Sequence, residues 1–231
     1  MSTELDEMFY NRLSVTVDVV IFSLVDGDLK VLLIKRKYPP FQSVWAIPGG
    51  FVQEEESLET AAERKLAEET GVKDVYIEQL YTFGAPHRDP RTRVITIAYF
   101  ALVPADAIVA ERLQGAEDDI QLFDVYDLPP LAFDHQQILN YAQERLRYKL
   151  EYTAVGFELL PAEFTLSELQ HAYETILEED LDKRNFRRKI LSANILEETG
   201  KKQKEGEGRP AMLYRYRQGA VAEVKTRRLF P

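Results

Sequence analysis

The segment spanning residues 45–72, WAIPGGFVQEEESLETAAERKLAEETGV, constrains this chain more than any other. Pro48-Gly49-Gly50 breaks the chain ahead of a helix, Ser57 is placed to cap its first turn, and Gly71 ends it. At about 100° per residue, Leu58, Ala61, Ala62 and Leu66 form one apolar stripe, while Glu59, Thr60, Glu63, Ala67 and Thr70 fall on the far side. Lys65 and Glu69 project within the stripe and Glu68 borders it. Three charges at i, i+3 and i+4 therefore sit on the face that should pack inward, where an unpaired charge is costly. Either Lys65 bridges Glu68 and Glu69 where the helix emerges past the core edge, or the three belong to a phosphate or metal site.

Strand-like runs surround this helix. Residues 15–24 and 31–35 flank the turn Asp26-Gly27-Asp28, and residues 75–80 and 93–103 follow the helix. The chain holds no cysteine, which removes disulfides and thiolate chemistry, and His87, His135 and His171 are too scattered for a zinc site. Any metal must then be held by oxygen, as Mg²⁺ is. Nothing approaches the run of about 18 apolar residues that a membrane span needs. The first ten residues carry three acids and neither a basic nor an apolar stretch, so a cytoplasmic protein is expected. Trp45 reads as core rather than as a ligand platform. The acidic stretch 111–119, Glu117 included, reads as a solvated loop.

Charge divides the chain. Residues 181–231 hold 14 Lys and Arg against 6 Asp and Glu, a balance of +8, whereas the preceding 180 residues hold 15 against 33, a balance of −18. Phe186, Ile190, Leu191, Ile195 and Leu196 are interspersed with the basic residues, which suits a folded basic module rather than a disordered arm. Asp134 is placed to cap a helix over residues 135–150, and a domain boundary is expected near 150. Beyond it, Thr165 and Glu168 make a capping-box signature, followed by Leu166, Leu169, Ala172, Tyr173, Ile176 and Leu177 at helical spacing. After a short connector, KRNFRRKILSA places Phe186 and Ile190 on one face and Arg184 and Arg188 on the opposite one, with Asn185 beside them. Such a helix pair puts side chains into a DNA major groove. Residues 194–198 and 211–217 read as a hairpin around the turn-like stretch 201–208, its loop carrying Lys201, Lys202, Lys204 and Arg209.

The helical segment resembles the Nudix hydrolase box: Gly, five residues, Glu, seven residues, then Arg-Glu-apolar-x-Glu-Glu-x-Gly-apolar. Gly50, Glu56, Arg64, Leu66, Glu68, Glu69, Gly71 and Val72 fall where the box requires over 23 positions. Lys65 stands where the family has a glutamate that helps bind catalytic Mg²⁺. An ammonium cannot be a metal ligand, but it attracts a diphosphate, which suits binding without turnover. Arg88 and Arg91, in the loop Arg88-Asp89-Pro90-Arg91 before the strand over residues 93–103, are placed either to clamp phosphates or to pair with a nearby acid or face water, and the stretch FGAPHRDPRTRVITIAYFALV is similar to ADP-ribose-type Nudix domains, which implies an adenosine-diphosphate sugar as ligand.

Both halves, in this order, resemble the Nudix-related transcriptional regulators, in which a Nudix-like domain carries a C-terminal winged helix. The resemblance implies an α+β chain: a Nudix-type α/β/α sandwich with a mixed sheet over residues 1–150, then a winged helix-turn-helix domain over residues 151–231. It implies a homodimeric repressor of NAD-metabolism genes, bound to a double-stranded DNA operator and responsive to ADP-ribose or a related nucleotide. Lys65, Glu68, Glu69, Arg88 and Arg91 would shape the nucleotide site. Arg184, Asn185 and Arg188 would meet base edges, while Lys183, Arg187, Lys201, Lys202 and Arg209 would neutralise phosphates. No catalytic residue, metal or cofactor is expected. The alternatives are an Mg²⁺-dependent ADP-ribose pyrophosphatase using Glu56, Glu68 and Glu69, a sugar-utilisation regulator of the same architecture, and a protein- or RNA-docking tail.

Overall fold

The computed structural model describes residues 13–108, 119–204 and 210–217. Its centre is a seven-stranded mixed sheet. Strand β1 (Ser14–Val25) is rich in β-branched residues and buried on both faces along its middle, as a central strand must be. It runs parallel to β6 (Val94–Leu102) and antiparallel to β2 (Asp28–Lys35). Asp26 and Gly27 join β1 to β2 as a two-residue turn with φ of 55° and 90°, the left-handed pair a tight hairpin requires. β5 (Tyr76–Phe83) lies outside β6, while β3 (Trp45–Ala46) and β7 (Ile120–Asp124) pair with β2 and β4 (Gly49–Phe51) pairs with β1.

Period-2 alternation sorts the sheet's side chains onto two faces. Val17, Val19 and Ile21 of β1, with Tyr99 and Ala101 of β6, pack beneath α1 (Leu58–Thr70) through Ala61, Ala62 and Leu66. The intervening Val20, Phe22, Ala98 and Phe100 pack on the opposite face against Ile138, Leu139, Ala142 and Leu146 of α2 (His135–Tyr152). The result is the expected α/β/α sandwich.

Helix α1 starts and stops where the sequence indicates: Ser57 accepts a hydrogen bond from the Thr60 amide at 3.1 Å, and Gly71 takes the left-handed φ of 76°. Thr70 departs from the far-side expectation. It is buried, because its hydroxyl donates to the Leu66 carbonyl and accepts from the Val72 amide, leaving no polar atom unpaired. Asp134 stands at the start of α2, but its carboxylate makes no capping bond and turns to Arg88. Helix α2 runs past residue 150, and the core on its face of the sheet continues without a break into the C-terminal module, through Phe157, Leu169, Tyr173, Phe186 and Ile190.

That module comprises β8 (Phe164–Thr165), α3 (Leu166–Leu177), α4 (Lys183–Ser192), β9 (Leu196–Gln203) and β10 (Ala211–Tyr216), with the strands ordered β8-β10-β9. Thr165 and Glu168 form the reciprocal capping box. Strand β9 extends further than the sequence indicates, so Lys201 and Lys202 lie in a strand rather than a loop; among the described residues β9 pairs with β10 alone, and an edge strand tolerates charges. Arg209 and Glu117 lie outside the described residues. Among the described residues, no helix is long and apolar enough to cross a membrane.

Candidate functional site

The PGG break, the end of β2 and α1 enclose a cavity of about 620 Å³ lined by Ile34, Lys35, Arg36, Lys37, Tyr38, Gly49, Lys65, Glu69, Asp119 and Ile120. A second cavity of about 200 Å³ shares Ile34, Arg36 and Gly49 with it and adds Asp18, Phe51, Arg88, Asp89, Arg91, Phe133 and His135. Together they make one cleft beside the sheet. Its two glycines have separate steric reasons. A Cβ on Gly49 would stand 2.2 Å from Asp18 Oδ1, and one on Gly50 would stand 2.5 Å from Lys65 Cε. The box glycine is thus the floor on which the Lys65 side chain lies.

Lys65 Nζ donates to Glu68 Oε2 at 2.6 Å, one of the two contacts in the bridging reading of the helix, while also lining the cavity. Arg64 holds the other Glu68 oxygen at 3.1 Å and both oxygens of Glu56 at 2.6 and 2.9 Å. The hydrogen bonds from Arg64 to Glu56, and from Lys65 and Arg64 to Glu68, keep both carboxyls below the usual glutamate range. Among the described residues no three acidic or histidine side chains converge as a metal site. Glu56 and Glu68 are engaged by Arg64 and Lys65, and Lys65 stands where the hydrolase alternative needs an anionic ligand for Mg²⁺.

The structure separates the two loop arginines that the sequence treats alike. Arg88 is buried: its guanidinium donates to Asp134 at 2.7 and 2.9 Å and to Asp18 at 3.3 Å. Burial disfavours its cation, but Asp134 and Asp18 more than offset this. Arg88 therefore ties β1 to the start of α2 beneath the cleft, and its charge is already spent on two carboxylates. Arg91 pairs with Asp89 at 2.7 Å, remains 44% exposed, and stands 5.9 Å from the ring centroids of both Phe51 and Phe133. It keeps donors for a phosphate.

Sequence reasoning missed one of the cleft's cations. Arg36 donates to the Pro40 carbonyl at 2.9 Å and lies 4.6 Å from the Phe133 ring centroid, but makes no ion pair among the described residues. Burial and the neighbouring Arg91 both weigh against its cation, the condition that a bound anion relieves. The signal was the run Lys35-Arg36-Lys37 directly after an apolar strand, which carries three cations into the cavity wall. Phe51 and Phe133 add aromatic faces at its mouth. Trp45 packs edge-on against Phe123 at 4.8 Å, as core.

On the basic module, Asp182 caps α4 by accepting from the Asn185 amide at 2.7 Å, and Phe186 and Ile190 anchor the helix. Lys183, Arg184 and Arg188 are exposed, with Arg188 donating to Asn185 Oδ1 at 2.7 Å. Lys202 is exposed and makes no ion pair among the described residues. Two expected phosphate contacts are engaged internally instead. Arg187 reaches Ser167 of α3 at 3.1 Å, and Lys201 pairs with Glu163 at 2.9 Å.

Family comparison agrees with this arrangement. Residues 15–142 match the NUDIX domain, and residues 156–216 match the NrtR DNA-binding winged helix domain. The chain is 42% identical over 205 residues to the ADPR responsive transcriptional repressor NtrR of Acinetobacter baylyi, covering 87% of this chain and 81% of the relative. It is 37% identical over 124 residues to an ADP-ribose pyrophosphatase of Methanocaldococcus jannaschii, covering 53% of this chain and 70% of that enzyme. The structure of Shewanella oneidensis NrtR complexed with a 27mer DNA superposes with a TM-score of 0.82 at 42% identity, covering 88% of this chain and 93% of that one. Its NUDIX domain complexed with ADP ribose superposes with a TM-score of 0.53 at 39% identity, covering 63% and 97%. The chain therefore belongs to the NUDIX family, in the NrtR group that joins a NUDIX domain to an NrtR-type winged helix.

Proposed function

We propose that this protein is an ADP-ribose-responsive transcriptional repressor that binds duplex DNA through α4 and β9 and binds the nucleotide in the cleft between β2, the PGG turn and α1. The observation that carries the reading is the Lys65 ammonium on Glu68 within a wall of Lys35, Arg36, Lys37 and Arg91. Such a wall attracts a diphosphate, and it presents an ammonium, Lys65, where the hydrolase box has a carboxylate for Mg²⁺. The Acinetobacter relative is a repressor responsive to ADP-ribose, and the Shewanella relative has been solved with DNA and with ADP-ribose. NAD-metabolism genes are the proposed targets, and ligand release from the operator is the proposed sense of the response. A homodimer follows from two recognition helices reading half-sites one DNA turn apart.

The test is AMP release from ADP-ribose with Mg²⁺, for wild type and Lys65→Glu, beside calorimetric binding of ADP-ribose. Binding without turnover in the wild type, with turnover gained in Lys65→Glu, supports a sensor. Rapid wild-type turnover establishes the pyrophosphatase reading, with Glu56, Glu68 and Glu69 as its acids, and refutes the sensor.

A further inference from the structure

The last turn of α3 is finished by groups from the other module. Thr175 and Ile176 present carbonyls that no later turn of α3 can pair, the usual fate of a helix C-terminus. Tyr126, in the loop between β7 and α2, donates its hydroxyl to the Thr175 carbonyl at 3.1 Å. Arg147, on α2, donates Nε to the Ile176 carbonyl at 3.0 Å and forms an ion pair with Glu178. Thr175 Oγ1 donates to the Gly27 carbonyl at 2.9 Å, and Gly27 packs so closely on His171 that a Cβ there would stand 2.5 Å from Nε2. A guanidinium at this end of the helix also complements its negative pole.

Glu178 is not an ordinary partner. It ends α3 in the left-handed conformation, with φ of 56°, and Asp182, four residues on, caps α4. Arg147 therefore grips the backbone and the side chain at the bend that sets the direction of the basic helix. The same α2 begins in the cleft, where Asp134 holds Arg88 and His135 accepts the Ile47 amide at 2.9 Å. Strand β2 makes a second link, from Arg36 beyond its far end to the Gly27 turn at its start.

We infer that Arg147 is the positioning residue that transmits cleft occupancy to the recognition helix, by holding Ile176 and Glu178 at the α3–α4 bend. This inference rests on the cleft being the ADP-ribose site. Arg147 lies about three helical turns from that cleft and lines neither cavity, so removing it leaves ligand binding intact and disconnects its consequence.

The experiment is hydrogen–deuterium exchange of the full chain with and without saturating ADP-ribose, beside calorimetric affinity for the same ligand. In the wild type, ADP-ribose changes exchange over residues 174–186 by about fivefold or more, the lower range of allosteric coupling. In Arg147→Ala, and in Glu178→Gln at an exposed position, affinity stays within about twofold while that change falls below about twofold. Arg147→Lys, which keeps a cation for Glu178, restores part of it. A merely structural Arg147 would instead raise exchange equally with and without ligand. A ligand-dependent change surviving intact in both variants, or absent from a wild type that binds ADP-ribose, overturns the inference. Failure of the wild type to bind ADP-ribose refutes the proposed ligand, and the relay with it.

Discussion

Arg88 and Arg91 belong to one loop, yet replacing them should have opposite consequences. The Arg88 side chain is 5% exposed, and the Asp18 and Asp134 side chains it bridges are 9% and 16% exposed. Arg88→Leu keeps most of the volume and removes the charge, leaving two carboxylates near one another in a water-poor site. Breaking a buried ion pair from one side costs about 3–5 kcal/mol, a large share of the about 5–15 kcal/mol that holds a domain folded. With a urea dependence of about 2–3 kcal/mol per molar, the unfolding midpoint should fall by roughly 1–2.5 M. Fluorescence of the single tryptophan, Trp45, reads this directly, because its ring packs on Phe123 within the same module. Arg91→Ala removes a guanidinium that is itself 44% exposed, and buried Asp89 keeps the residue-91 amide as a donor, so it should cost less stability than Arg88→Leu. It should, however, remove a charge-assisted hydrogen bond of about 1.5–3 kcal/mol, weakening ADP-ribose binding roughly 10- to 150-fold by calorimetry. If Arg88→Leu unfolds within about 0.3 M of the wild-type midpoint while losing ligand affinity, the structural assignment of Arg88 is wrong and the phosphate clamp expected from sequence is right.

Four further outcomes are expected. Lys202→Ala should lower the salt dependence of binding to a duplex selected by the protein by about one unit, read by fluorescence anisotropy. Lys201→Ala should change it less, because Glu163 already compensates Lys201. Ile190→Ala removes a fully buried anchor of α4 and should cost about 2–5 kcal/mol in urea unfolding; a cost below about 1 kcal/mol would contradict the packing. Burial holds the His135 imidazole below its ordinary value of 6.5, against the pull of Asp18 and Asp134, and its acceptor bond from Ile47 requires the neutral ring. The unfolded chain therefore takes up the proton first on acidification. Stability should be complete above pH about 6.5 and fall below it by up to about 1.4 kcal/mol per unit, a slope that His135→Gln should abolish in urea midpoints at about pH 7 and 5.5.

Local chemistry made much of this fold readable. The Asp26-Gly27 turn, the Ser57 and Gly71 ends of α1, the Thr165 and Glu168 capping box and the Phe186/Ile190 face of α4 are each decided within a few residues, and each stands where the sequence places it. Strand β7 was missed because five residues of modest alternation carry little signal, and pairing with β2 rather than propensity makes it a strand. In the cleft, spacing identified Lys65 and Glu68 because both lie on one helix. The partners of Arg88 are 46 and 70 residues away, so no local pattern could distinguish an arginine neutralised by Asp134 and Asp18 from one facing a ligand. For the same reason nothing local marked Arg36, just past the strand over residues 31–35, as a residue that Phe133 and Arg91 close around.

The core that runs unbroken from Phe22 beneath the sheet to Ile190 beneath the recognition helix has a consequence for the protein's lifetime. Modules sharing one apolar interior melt together, so a ligand bound at one end protects the other. Free energy gained in the cleft, RT ln(1 + [L]/Kd), then resists unfolding of the winged helix as much as of the sandwich, about 2.7 kcal/mol at a hundredfold excess over Kd. Cellular proteases act on chains that have opened, and shifts of about 1–2 kcal/mol change abundance several-fold. The nucleotide level would thus set how many copies survive as well as where they sit, so a cell poor in nucleotide would hold a smaller population of repressor, turning over faster.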